Sequence, residues 1–307
     1  MNAYNLIPVL AAPTASGKTA LALELAKRFP LEIISADAMM VYKDMDIGTA
    51  KPSDKEQKAV AHHLIDVVSP AERFSVTDYV RLAETAIADV LARGSIPFVV
   101  GGTGFYIRAL AEGLPTVPEV DEGVQAPLWL RYEKEGIEGL HKELEAFSLL
   151  DAERAQRNPR RVIRALEIIE RTGKPASSFP KTKPAFKYKK VILLPDKELL
   201  KKRIVLRTEE MFRAGLVNEV KELLQTYPKL ATARQAIGYK EVIAYLEGLQ
   251  TLEEAKNAIT LATLQYAKRQ RTWFRKEKDA TFFYALAEDV YDELAQELEN
   301  DLYNTEN

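Results

Sequence analysis

The chain has 307 residues, 47% of them hydrophobic and 29% charged, with no cysteine. That length suits one large domain, or a core with a smaller attached unit, and it allows a substantial buried core. The missing cysteines exclude disulfides and thiolate metal sites, and no apolar run reaches the ~18 residues of a membrane-spanning helix.

The net charge of −2 conceals an asymmetry. From Asp279 to Asn307 there are nine Asp/Glu and no Lys/Arg, so the preceding 278 residues carry a net of +7. A basic body favours polyanionic partners, nucleic acid among them; a solvated surface with uneven charge is the plainer explanation. The acidic stretch is expected to form a helix packed on the core through Phe282, Phe283 and Leu286. The N-terminus has no basic segment ahead of its apolar run, so a secretory signal is not expected. A cytoplasmic monomer is.

In chain order, Leu6 to Ala12 reads as a buried strand broken by Pro8. The stretch from Ala12 to Thr19, APTASGKT, follows the phosphate-binding pattern G-x-x-x-x-G-K-[ST] except that Ala12 stands at the first glycine. Thr19 to Phe29 has helical composition, which supplies the strand–loop–helix context that the pattern requires. A second apolar run ends at Asp37. Ser75-Val76-Thr77-Asp78 resembles a capping box opening a helix to about Arg93. A third run, Ile96 to Val100, ends in Gly101-Gly102-Thr103-Gly104. Strands alternating with helices imply a parallel α/β sheet. Lys18, Asp37 and Thr103 then meet beyond the strands' C-terminal ends, where ligands collect.

Pro118, between Thr116 and Asp121, and Pro115 just before it mark a boundary. Leu128 to Thr172 reads as mostly helices, Gly173 to Tyr188 as a connection, Val191 to Leu194 as a buried strand, and Lys197 to Lys276 as almost entirely helical. The organisation is therefore 1–116 as the first part of the core, 117–180 as a helical insertion, and 181–307 as core completion with C-terminal helices.

The loop at 12–19 offers backbone N–H groups and a helix N-terminus to an anion. Lys18 adds charge, and the Thr19 hydroxyl can reach Mg²⁺. Ala12 costs little if its φ is negative and about 1–2 kcal/mol if the loop needs a left-handed residue there. Asp37 suits a metal-assisting acid, a general base or a turn cap. The glycines at 101–104 permit close backbone approach to a ligand, or form a flexible turn. Arg160 and Arg164 share a helix face, as do Arg203 and Arg207; both pairs fit phosphate binding or a solvated face. Gln265 to Lys278 interleaves six basic residues with Tyr266, Trp273 and Phe274. The charges suit nucleic acid, whereas Trp273 and Phe274 are expected to face the core. His62-His63 is expected to be structural, since adjacent histidines do not converge on one metal.

Taken together, PTASGKT at 13–19, IISAD at 33–37, VYKDMDIGTAKP at 41–52, HHLID at 62–66 and GGTGFYIRAL at 101–110 resemble the tRNA dimethylallyltransferases. RRVIRALE at 160–167, AGLVNEV at 214–220, QAIGYKE at 235–241 and QYAKRQRTWFRK at 265–276 continue the match in order. The resemblance implies a P-loop NTPase-like core with a parallel sheet, a helical insertion and a helical C-terminal part. It also implies an activity: transfer of a dimethylallyl group from dimethylallyl diphosphate to the N6 amine of the adenosine 3′-adjacent to the anticodon, with diphosphate released.

On that resemblance Asp37 and Thr103 are catalytic. Ala12, Pro13, Thr14, Ala15, Ser16, Gly17, Lys18 and Thr19, with Arg164 and Arg207, hold the diphosphate, and Thr19 binds Mg²⁺. Ala38, Met39, Met40, Arg160, Arg161, Val162, Ile163, Lys268, Arg269, Arg271 and Arg275 meet the tRNA anticodon stem-loop. Ala12, Ala38 and Met40 depart from the family's usual Gly, Ser and Gln, which bears on nucleotide preference around the target. Three other readings stay open: a small-molecule kinase, a prenyltransferase acting on free AMP or ADP, and a catalytically silent RNA-binding protein.

Overall fold

The computed structural model describes residues 6–303. Its first elements are β1 (Ile7–Ala11), α1 (Lys18–Leu25), β2 (Leu31–Ala36), α2 (Asp54–Ala59), β3 (His62–His63), α3 (Val76–Ala92), β4 (Ile96–Gly101) and α4 (Gly104–Glu112). Helices α5 (Glu122–Glu135), α6 (Ile137–Phe147), α7 (Leu149–Ala155) and α8 (Pro159–Thr172) follow. The chain continues through β5 (Tyr188–Leu193), α9 (Lys197–Arg213), α10 (Leu216–Thr226), α11 (Tyr239–Leu246), α12 (Leu252–Phe274), β6 (Ala280–Phe283) and α13 (Tyr291–Tyr303).

The strands form one parallel sheet in the order β3-β2-β4-β1-β5-β6. Such sheets are covered on both faces, so their central strands are apolar throughout. Every residue of β1 and β4 is buried. Side chains alternate between the two faces. Leu10 joins Leu21, Leu25, Leu294 and Leu298 on one side, whereas Val9 and Ala11 join Tyr79, Ile87 and Ile107 on the other. Helices α1 and α13 therefore cover one face, and α3 and α4 the other. Pro8 is tolerated in this central strand because pairing with β4 begins only at Val9. The capping box at Ser75 and Asp78 is formed, with Asp78 N donating to Ser75 Oγ at 3.1 Å.

The expectation for the acidic stretch needs correction. Phe282 and Phe283 lie in β6, which pairs with β5, so they do not belong to the tail helix. Their β-prone aromatic composition completes the sheet. The helix comes later, as α13, and packs through Leu294, Ala295 and Leu298. Residues beyond 303 of that stretch lie outside the described region. Among the described residues, no helix is long and apolar enough to cross a membrane.

The chain divides into two units, one holding the described residues up to Ala111 and from Ala185 on, the other Glu112–Pro184. The second unit contains α5 to α8 around Leu128, Leu140, Leu144, Val162, Ile163 and Leu166. Asn158 caps α8, with Pro159 in its first turn. Glu167, fully buried on α8, accepts from Asp121 N at 2.8 Å and Gln125 Nε2 at 2.7 Å and pairs with Arg164 and Arg171. A buried carboxylate is stable only when its lone pairs are used this fully.

Candidate active site

The C-terminal ends of β1 and β2 open onto a cavity of about 370 Å³ in the first unit. That volume is in the usual range for a small-molecule site. Thr14, Lys18, Thr19, Asp37 and Arg207 line a polar wall, and Ile204, Met211, Ile237 and Ile259 line an apolar one. Ala38, Met39 and Met40 border it as well.

The loop from Ala12 to Thr19 takes its shape from two left-handed residues, Ala15 with φ 62° and Gly17 with φ 88°. Ala12 is not one of them and is fully buried, so the substitution at the first pattern position brings no backbone strain. Ser16 is fully buried too, and its hydroxyl has no partner. Arg207 reaches the loop from α9: its Nη1 donates to Thr14 Oγ1 at 3.0 Å, and its Nη2 faces Thr49 O at 3.5 Å. Its Nε is buried without a partner. Burial lowers the Arg207 pKa against the pull of Asp37. The Lys18 ammonium is pushed down to about 8, chiefly by burial and also by Arg207, while Asp37 opposes the shift. Two crowded cations therefore face the cavity, and an anion between them would relieve both.

Asp37 Oδ1 accepts from Met39 N at 2.9 Å and Met40 N at 3.4 Å, an Asx turn that fixes the carboxylate and leaves Oδ2 without a protein partner among the described residues. Thr103 Oγ1 accepts from Ala38 N at 3.0 Å and so joins the ends of β2 and β4. Met40 turns its sulfur toward Ser35 Oγ at 4.0 Å. The Tyr266 hydroxyl lies against Thr103 and Gln270, with its pKa raised to about 12 by burial and by Asp37. A hydroxyl and a carboxylate beside a phosphate loop suit Mg²⁺, which takes few protein ligands and completes its shell with water and phosphate. The residues present fit that ion. No cluster of three acidic, His or Cys side chains occurs among the described residues.

The glycines at 101–104, which suited close approach to a ligand or a flexible turn, are pressed by the protein itself. A Cβ on Gly101 would lie 2.2 Å from Ala36 O, one on Gly102 2.5 Å from Gln270 Nε2, and one on Gly104 2.3 Å from the Trp273 ring. Gln270, buried on α12, accepts from Thr14 N at 2.9 Å and donates to Gly102 O at 2.8 Å.

Several of the remaining candidates sit differently from expectation. Val162 and Ile163 are fully buried in the second unit's core, so their side chains cannot meet RNA; the apolar face of α8 claims them. Arg160 and Arg161 are exposed on the opposite face. The Arg164 guanidinium is held within its own unit by Glu167 and by Pro118 O. Arg271 is buried and donates to Pro195 O, because it points inward from α12. Lys268, Arg269 and Arg275 are exposed. Phe274 is in the core, and Trp273 packs against it, under the Arg108 guanidinium at 4.0 Å. His62 and His63 form β3: His62 Nδ1 bonds Val60 O at 2.7 Å and His63 Nε2 bonds Glu32 at 2.8 Å, both structural contacts.

Two polar anchors, Gln270 and Glu219, carry no signal in the local sequence, and Tyr266 acts through its hydroxyl as a third. Gln270 and Tyr266 are four residues apart on α12, a spacing that puts them on one face. Glu219 on α10 accepts from Ile47 N at 2.7 Å, Gly48 N at 3.2 Å and Tyr239 OH at 2.6 Å, which fixes the loop before Thr49. Gly48 is needed there because a Cβ would enter the Tyr239 ring.

The IPP transferase family model matches residues 40–277, and an isopentenyl transferase model matches 5–69. A tRNA dimethylallyltransferase of Thermus thermophilus is 52% identical over 93% of this chain and 95% of its own. The full-length tRNA isopentenylpyrophosphate transferase of Bacillus halodurans superposes with a TM-score of 0.73 at 36% identity, over 98% of this chain and 97% of that one. A eukaryotic dimethylallyltransferase acting on tRNA gives 0.76 at 29% identity, over 96% and 78%. The core is accordingly a P-loop NTPase-like fold, and the chain belongs to the IPP transferase family, that of the tRNA dimethylallyltransferases.

Proposed function

We propose that the chain transfers a dimethylallyl group from dimethylallyl diphosphate to the N6 amine of the adenosine 3′-adjacent to the anticodon of tRNA, releasing diphosphate. The observation that carries this reading is the cavity. Lys18 and Arg207, neither with an ion pair among the described residues, line it beside the phosphate loop, its apolar lining of Ile204, Met211, Ile237 and Ile259 suits a five-carbon chain, and the carboxylate of Asp37, fixed by its turn, borders it too.

The amine lone pair attacks C1 of the donor as the C1–O bond breaks, and the electron pair leaves on diphosphate. An allylic carbon tolerates the developing positive charge, so the protein's main task is to stabilise the departing anion. The loop amides from Ala15 onward, Lys18 and Arg207 do this electrostatically. Mg²⁺, held by the Thr19 hydroxyl and diphosphate oxygens, would neutralise further charge on the leaving group. Asp37 is too weak a base to deprotonate a neutral aryl amine in advance. Its free Oδ2 orients the amine and takes the proton as the N–C bond forms. Thr103 positions the base edge. The adenosine must leave the anticodon stack to reach the cavity, and the exposed cations Lys268, Arg269 and Arg275 of the first unit, like Arg160 and Arg161 of the second, each suit RNA phosphates. A role for Arg164 on the diphosphate would cost its bonds to Glu167 and Pro118 O.

The test mixes protein, Mg²⁺, dimethylallyl diphosphate and unmodified tRNA, with AMP and Asp37→Ala in parallel, and reads the isopentenyl mass increment on nucleosides. A gain on tRNA that falls about 10²–10⁴-fold with Asp37→Ala is expected. A gain on AMP alone would move the chain to the free-nucleotide class, and ATP turnover without prenyl transfer would make it a kinase. Tight tRNA binding with neither activity would mark a silent RNA-binding protein and point to Ala38 and Met40.

A further inference from the structure

Helix α12 sends one buried amide between two loops that leave different strands. Gln270 accepts from Thr14 N on the β1 loop at 2.9 Å and donates to Gly102 O on the β4 loop at 2.8 Å. The orientation of the carboxamide is unambiguous, since Thr14 N can only donate and Gly102 O can only accept. The bond to Gly102 O is buried and the one from Thr14 N half-buried, so loss of the amide takes a partner from two backbone groups, one of them shielded from water. Gly102 has no side chain because Gln270 Nε2 occupies the space a Cβ would need, at 2.5 Å. Thr14 is also gripped through its hydroxyl by Arg207, at 3.0 Å. One turn earlier on α12, Tyr266 meets Thr103. The Thr14 N–H is therefore spent on Gln270, and the anion nest begins at Ala15.

We infer that Gln270 is a positioning residue, a clamp that fixes the diphosphate loop relative to the loop carrying Thr103 and so sets the distance between leaving group and attacking amine. The kinetic part of this inference rests on the proposed reaction; the clamp itself does not. Gln270 also borders the cavity, but its carboxamide is spent on these two loops. It acts through the backbones of Thr14 and Gly102.

The discriminating variant is Gln270→Met, which keeps the length and packing of the side chain and removes both hydrogen bonds. Pyrophosphate titrated by calorimetry reads the loop directly, and affinity about tenfold weaker than wild type is expected, the loss of about two hydrogen bonds' worth of preorganisation. In steady-state transfer, kcat is expected to fall on the order of 100-fold, as for a misplacement near 1 Å. KM for tRNA should stay within about twofold, because the RNA-binding surface is untouched.

Gly102→Ala reads the same clamp from its other end and serves if the methionine variant does not fold. Its methyl expels the amide, so it should reproduce the loss. In a Gln270→Ala background the methyl meets only Ala12 O, at 3.2 Å, and most of the added cost of Gly102→Ala should vanish. Wild-type pyrophosphate affinity and kcat in Gln270→Met would overturn the clamp and leave Gln270 as packing. Additive costs in the Gly102/Gln270 cycle would do the same. If wild-type protein fails to prenylate tRNA yet binds pyrophosphate in a Gln270-dependent way, the proposed reaction falls and the clamp stands.

Discussion

The loops at 12–19 and 101–104 leave neighbouring strands at the same edge of the sheet, and both carry glycine, but for different reasons. In the first, Gly17 adopts φ 88° and shapes a row of backbone N–H groups. In the second, none of the three glycines has positive φ. Each is small because Ala36, Gln270 or Trp273 presses against its α-carbon. The first loop needs glycine for its backbone conformation, and the second needs it for close packing against the protein. A run of glycines after a strand therefore reports close approach without saying what approaches.

The sharpest way to break this comparison is Gly101→Ala. Its Cβ would meet backbone, Ala36 O at 2.2 Å, and no rotamer change relieves that. A loss above about 4 kcal/mol in urea unfolding, or failure to fold, is expected. Gly104→Ala should cost less, about 2 kcal/mol, because its obstacle is the Trp273 side chain, which can shift. Its pyrophosphate affinity should change little. Gly17→Ala should cost about 1–2 kcal/mol of strain and weaken pyrophosphate clearly. If Gly104→Ala abolished pyrophosphate binding while Gly17→Ala spared it, the assignment of the two loops would be reversed.

Lys18 sharpens the same contrast through pH. Its folded-state pKa, about 8, lies below the ordinary 10.5, so the fold disfavours the protonated form. Stability gains as pH rises from about 8 towards 10.5, while anion binding, which needs the proton, weakens. Pyrophosphate titrations should show affinity falling above about pH 8 in wild type. In Lys18→Arg, whose charge persists to higher pH, that break should disappear.

Much of this was legible in the sequence. The order of apolar runs and turn residues implies the parallel sheet, and Lys18 and Asp37 at strand ends mark the end of the sheet where the cavity lies, with Thr103 tied to Ala38 at its border. The parts that were not legible share a cause. Val162, Ile163 and Arg271 lie in motifs rich in basic residues, and a motif does not say which face of its helix is buried; only the packing of α8 and α12 decides that. Gln270 and Glu219 act on backbone atoms far away in sequence, and no local pattern encodes such a partner. Phe282 and Phe283 form a short edge strand whose pairing with β5 is a tertiary fact.

The smallest expected effects concern the substitution that first made the phosphate loop look irregular. Ala12→Gly would restore the written pattern, yet Ala12 has no positive φ to relieve, and its methyl is buried among Leu10, Leu21 and Val100. Glycine there should gain nothing in the folded chain, should add freedom to the unfolded one, and should lose about 1 kcal/mol. Ala15→Gly should go the other way. Ala15 bears the left-handed strain, at φ 62°, and relief of about 1–2 kcal/mol exceeds the roughly 0.5–1 kcal/mol entropic cost of glycine. Opposite signs for these neighbouring substitutions, read in one set of thermal melts, would show that the loop's conformation, and not its match to a written pattern, decides where glycine is needed.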